Sequence, residues 1–189
     1  MKRRHIASMA IVTSSILAVG SALAAQDRWA LKAPNGIAFS EFKDYDSWQM
    51  VASSMPDNES GCGTSKAPGC IKSIVGNPVL IKAYGAGIPA NGKPVPDGAA
   101  FAKIEWSKAR LTVPYAAVVP GNLAEISFML KDSKRFPKTN GWGYATFTYD
   151  TATDTWKAKG DNPDFVNACH GCHTVVQGND YVFTHYPKR

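Results

Sequence analysis

Pro96-Asp97-Gly98-Ala99-Ala100-Phe101-Ala102-Lys103-Ile104-Glu105-Trp106 decides the fold class. Proline presets φ and glycine supplies the left-handed residue, so Pro96-Asp97-Gly98 reads as a turn. The residues after it repeat with period two, the strand period rather than the helical one. Ala100, Ala102, Ile104 and Trp106 lie on one face, and Ala99, Phe101, Lys103 and Glu105 on the other. A strand over Ala99 to Trp106 follows. Leu123 to Lys131 alternates in the same way, with Ala124, Ile126, Phe128 and Leu130 opposite Glu125, Ser127, Met129 and Lys131.

Outward from these two strands, Tyr115 to Val119 reads as another, closed by Pro120-Gly121. Trp142 to Tyr149 and Thr155 to Ala158 form a hairpin around Asp150 to Asp154, and Ile71 to Val75 is a short strand. Asn77-Pro78 opens a helix through Tyr84, because asparagine caps well and proline suits the first helical position. Phe39 to Ser54 reads as a turn leading into a short helix, with Asp46 as cap and Trp48, Val51 and Ala52 on one apolar face. Asp132-Ser133 caps a helical turn through Phe136, Gln26 to Asn35 reads as a loose polar arm, and Asp180 to Tyr186 as a last extended piece. The sum is an α+β domain: an antiparallel β-sheet with a few short helices. So much period-two alternation does not suit an ordinary helical cytochrome c.

Pro163 to His173 is a helix or turn that ends in Cys169-His170-Gly171-Cys172-His173. This is C-x-x-C-H, the attachment sequence of a c-type haem. Two thiols add across the haem vinyl groups, and the histidine after the second sits under the iron as proximal ligand. The chain holds only four Cys and four His, which makes a chance match of this kind rare. Two other chemistries use paired cysteines. A thioredoxin-like pair wants a preceding buried strand, and Asp161-Asn162-Pro163-Asp164 is not one. A zinc site would need Cys62 and Cys70 as its second ligand pair.

The N-terminus reads as an export signal over residues 1–24. Lys2, Arg3, Arg4 and His5 are the positive region, Ile6 to Val19 is apolar and small, and Ala22-Leu23-Ala24 is an A-x-A cleavage site. Removing 24 of 189 residues leaves 165, the size of one domain over 25–189. The formal charge falls from +6 to +3, because Lys2, Arg3 and Arg4 leave and no acid does. That is too mild for nucleic-acid binding, and no later segment is apolar enough to span a bilayer. The expected compartment is the periplasm. There Cys62 and Cys70, which bracket a loop rich in Gly and Pro, are expected to form a local disulfide. On the chain-entropy account it contributes about 2–3 kcal/mol.

Several stretches together resemble the cytochrome P-460 family. They are Phe42-Lys43-Asp44-Tyr45-Asp46-Ser47-Trp48, Pro96 to Lys103, Lys131-Asp132-Ser133-Lys134-Arg135-Phe136 and Gly141-Trp142-Gly143-Tyr144. The C-x-x-C-H and Asp180-Tyr181-Val182-Phe183-Thr184 complete the set in the family's order. The resemblance implies one covalent haem c held by Cys169 and Cys172, with His173 below the iron and an open position above. It also implies a β-rich α+β fold, often as a homodimer. In the catalytic members a lysine is bonded to the haem edge and hydroxylamine is oxidised. That lysine follows the Pro-Asp-Gly turn, which makes it Lys103. A sister group, the beta-type cytochromes c′, lacks the bond and binds nitric oxide. This chain departs from the catalytic pattern at one place. The distal carboxylate position falls on Ser127, and Glu125, two residues away on the same face, is the available substitute for taking substrate protons.

Three functions compete at this stage: oxidation of hydroxylamine or handling of nitric oxide at an open iron, nitric oxide binding without turnover, and plain electron transfer. The enzyme reading needs an electron acceptor such as a small cytochrome c. The carrier reading needs a second strong axial ligand, for which Met50, Met55, Met129, His170 and His185 are the candidates. Met129 leads them because it shares the Ser127 face, and His170 reads as a solvated spacer.

Overall fold

In a computed structural model of the chain, the described residues are 26–56, 69–160, 162 and 164–188. Six strands run in chain order across one antiparallel sheet, β1-β2-β3-β4-β5-β6. They are β1 (Gln49–Ser54), β2 (Cys70–Gly76), β3 (Ala100–Leu111), β4 (Ala117–Lys131), β5 (Trp142–Asp150) and β6 (Thr155–Ala158). Two helices complete the set, α1 (Pro78–Gly85) and α2 (Asp164–His173). The fold is α+β, as the alternation in β3 and β4 requires. No helix among the described residues is long and apolar enough to cross a membrane.

Each sheet face has its own apolar cluster, because successive side chains of a strand point to opposite faces. On one face Ala100, Ala102, Ile126, Phe128, Ala145 and Phe147 pack under Phe39, Phe42 and Trp156. Phe42 stacks on Phe128 with ring centroids 4.0 Å apart. On the other face Phe101, Trp142 and Tyr144 join Leu80 of α1, Val95 and Val182. The sheet is thus the partition of the molecule. The N-terminal segment covers one side, and α1, α2 and the C-terminal segment cover the other.

Three expectations from the sequence are corrected. Gln49 to Ser54 is an edge strand rather than a helix, preceded by single 3-10 turns over Phe39–Phe42 and Tyr45–Ser47. Val51 alone is fully buried there, and pairing with β2 supplies backbone partners that a short helix would lack. Gln26 to Asn35 is no loose arm. Asn35 donates to the Tyr144 carbonyl at 2.9 Å, and Trp29 and Leu31 pack on the core. Pro120-Gly121 does not end a strand either. β4 runs through it, with irregular pairing to β3 between Glu105 and Lys108. Proline is tolerated because β3 and β4 outrun β2 and β5 here and, among the described residues, form a two-stranded ribbon whose outer edges are not paired. Gly121 is required by close approach, since a Cβ would lie 2.7 Å from Ser107 Oγ.

The capped helix forms as expected: Asn77 Oδ1 accepts from Leu80 N–H at 3.0 Å and Pro78 starts α1. Cys70 opens β2, buried, with its Sγ 3.8 Å from Glu105 Oε2. Its expected disulfide partner, Cys62, lies outside the described residues, as do residues 1–24 of the expected signal.

Candidate functional site

The strand face that carries Phe101, Lys103 and Glu105 builds one wall of a cavity of about 520 Å³. Register places the rows. Phe101 pairs with Met129 and Met129 with Tyr144; Lys103 pairs with Ser127 and Ser127 with Thr146; Glu105 pairs with Glu125. Helix α2 supplies the opposite wall. Phe165, Cys169, Cys172 and His173 all line the cavity, spaced so that a 3.6-residue period puts them on one helix face. The C-terminal segment adds Val182, Phe183 and Thr184.

Every residue expected at the site from the sequence therefore reaches this one cavity: Cys169, Cys172, His173, Lys103, Glu125 and Ser127. Among the candidate second axial ligands only Met129 lines it. Met50 and Met55 are exposed at the far edge of the sheet, and His185 is exposed. His170 is a correction. It is half-buried, with Nδ1 3.0 Å from the Tyr144 hydroxyl and its ring 4.6 Å from that of Tyr181, so it is packed rather than solvated. Burial lowers its pKa.

His173 Nδ1 lies 2.7 Å from the Tyr181 carbonyl oxygen, which can only accept, so Nδ1 carries a proton and Nε2 is the nitrogen left to act as a ligand. Its ring meets Phe183 at 4.8 Å and Tyr144 at 5.2 Å. Burial lowers its pKa more than the Tyr181 contact raises it, which favours the ligand form. Burial likewise raises the Cys169 thiol pKa and pushes the Tyr144 phenol well above the usual tyrosine range.

The sheet wall grades from apolar to charged. At one end stand Phe101, Met129 and Tyr144; Ile74 lies in the next row beside Lys103, Ser127 and Thr146, and Lys72, Glu125 and Lys159 follow at the other end. Glu125, 5% exposed, accepts from Lys159 Nζ at 2.9 Å. The Ser127 hydroxyl lies 3.0 Å from that of Thr146 and 3.5 Å from Glu125 Oε1. Glu105, 3% exposed, pairs with Lys103 Nζ at 2.5 Å and Lys72 Nζ at 3.7 Å. Two buried carboxylates directly opposite on neighbouring strands would repel, and the three lysines compensate them.

Sequence reasoning missed Glu105, Lys72, Thr146, Tyr144 and Lys159 as parts of the site. Glu105 was findable, two residues beyond Lys103 and so on the same strand face. Lys159 follows the last strand with no pattern to mark it.

The residues present fit a covalently held haem. Two thiols and an imidazole with a free Nε2 share one helix face, against a cavity within the usual range for a cofactor, roughly 300–1,000 Å³. No cluster of three or more metal-binding side chains occurs among the described residues, and Cys62, which the zinc alternative needs, lies outside them. The family model described as Cytochrome P460 matches residues 42–184, a span that runs from Phe42 through the whole sheet and α2 to Thr184. No curated protein matches the chain.

Proposed function

Because the chain belongs to the cytochrome P460 family and is thus a haem protein, we propose that it is a periplasmic haem c oxidoreductase acting on hydroxylamine. The single observation that carries this reading is Glu125, a buried carboxylate lining the cavity that His173 also lines. Each electron that leaves hydroxylamine on the way to nitric oxide is accompanied by a proton. A binder needs no proton acceptor beside its ligand, whereas an oxidase does.

A haem held here would supply one-electron chemistry. The chain supplies the rest. Cys169 and Cys172 would anchor the macrocycle by thioether bonds, and His173 would offer Nε2 while its Nδ1–H is held by the Tyr181 carbonyl. Glu125 takes protons from the substrate N–H and O–H groups. Lys159, paired with it and about one-third exposed, connects that carboxylate to water. The Ser127 and Thr146 hydroxyls orient the small polar substrate, and Phe101, Met129, Val182 and Phe183 keep bulk water out. Lys103 lines the cavity and is the residue proposed to bond to a macrocycle edge, its nitrogen replacing a ring hydrogen with loss of two protons and two electrons to a peroxide oxidant. Electrons leave to a small cytochrome c.

The test is hydroxylamine-dependent reduction of a small cytochrome c by the haem-loaded protein. Nitric oxide binding without turnover is the second reading. It is favoured by the Lys103 ammonium, which is committed to Glu105 at 2.5 Å. Retained nitric oxide binding with no cytochrome c reduction would establish it.

A further inference from the structure

Two of the stretches that carry the family resemblance, Lys131 to Phe136 and Asp180 to Thr184, are joined by a contact the sequence does not reveal. Lys131 ends β4 with its side chain 5% exposed, and Asp180, 13% exposed, receives it. The ammonium donates to both Asp180 carboxylate oxygens, at 3.0 and 2.9 Å, and to the Asn140 carbonyl at 2.9 Å. It also lies 4.8 Å from the centre of the Trp142 ring. Asp180 is further tied by Val95 N–H, which donates to its carboxylate at 2.7 Å, and by Trp142 Nε1–H, which donates to its carbonyl at 2.9 Å.

The backbone held this way is unusual. Asp180 and Tyr181 are consecutive left-handed residues, with φ of 48° and 65°, and neither is glycine. Such a pair persists where its surroundings over-determine it, often at a functional site. The next carbonyl along, that of Tyr181, accepts from His173 Nδ1.

We propose that the buried Lys131–Asp180 ion pair is a positioning device for the proximal histidine, aiming the Tyr181 carbonyl at His173 Nδ1 and so setting how strongly the ring donates to iron. The proposal rests on His173 being the proximal ligand. A partner on the far ring nitrogen raises the basicity of a metal-bound histidine, and a more basic ligand favours ferric over ferrous iron. Lys131 and Asp180 touch neither haem nor substrate. They act through the Asp180–Tyr181 backbone.

The experiment uses haem-loaded wild type, Lys131→Met, Asp180→Asn and Lys131→Arg. Intact mass under denaturing conditions checks haem loading. The iron–histidine stretch of the ferrous protein and the midpoint potential are the readouts. In Lys131→Met and Asp180→Asn the stretch is expected to fall, and the ferrous share at a fixed potential to rise by about tenfold, the low end for outer-shell partners. For a one-electron couple that is a shift of about 59 mV. Lys131→Arg, which keeps the charge, should return both readouts toward wild type. If Lys131→Met does not fold, Asp180→Asn carries the same expectation, since asparagine keeps an acceptor for Val95 and tolerates the left-handed conformation. A loaded variant with lowered thermal stability but wild-type stretch and potential would overturn the proposal, the pair then only fastening the C-terminal segment. A wild-type protein with no iron–histidine band would instead remove the site reading, and the positioning role with it.

Discussion

Replacing Glu125 by glutamine separates oxidase from binder. Glutamine keeps the shape and one acceptor oxygen but cannot take up a proton. Removing a positioned general base lowers rates by about 10²–10⁴, which is about 2.7–5.4 kcal/mol in the barrier. The structural penalty is smaller. Glu125 loses its charge partner at 2.9 Å, but Lys159 is 34% exposed and its ammonium can turn to water. A charged hydrogen bond of this kind is worth roughly 1.5–3 kcal/mol, or about 3–12 °C in Tm for a domain of this size. The assay is hydroxylamine-dependent reduction of a small cytochrome c at 25 °C, with haem loading matched by mass and nitric oxide binding followed in parallel. Turnover should collapse while nitric oxide binding persists. If the loaded variant keeps a rate within about tenfold of wild type, Glu125 is not the proton acceptor and the oxidase reading loses its main support.

Other outcomes follow from the same geometry. Cys169→Ala with Cys172→Ala, made together with Lys103→Ala, should leave no haem mass on the denatured protein; haem retained after acid-acetone extraction of that variant would contradict thioether attachment. Lys103→Ala should convert a wild-type digest in which one haem joins the peptides of Lys103 and Cys169 into one with a single haem peptide; identical digests and spectra would show that the bond to Lys103 does not form. Phe42→Ala removes a fully buried ring stacked on Phe128 at 4.0 Å. It should lower stability by about 3–5 kcal/mol, read by denaturant unfolding, with the haem spectrum unmoved because Phe42 lies across the sheet from the cavity. Alkylation of the unfolded, unreduced exported protein should label neither Cys62 nor Cys70, and labelling of both would rule out the expected disulfide.

The sequence alone determined β3 and β4, because Lys103 and Glu105 alternate with Ala102 and Ile104, and Glu125, Ser127 and Lys131 with Ile126, Phe128 and Leu130, a period of two that a helix would not give. It determined which face of α2 carries Cys169, Cys172 and His173, because C-x-x-C-H is itself a helical spacing, and it determined that Glu125 and Ser127 share a face of β4. It did not determine β1, where Val51 is the one fully buried side chain and only pairing with β2 makes a strand of it. Nor did it give the partners of the site residues. That Glu125 meets Lys159 and that Lys131 reaches Asp180 across 49 positions are matters of tertiary contact. Ion pairs and hydrogen bonds to carbonyls leave no periodic signal along the chain, because each depends on where two distant segments are brought by the burial of other residues. Local pattern fixed which side chains face the cavity; the packing of α2 and the C-terminal segment on the sheet decided what each of them touches there.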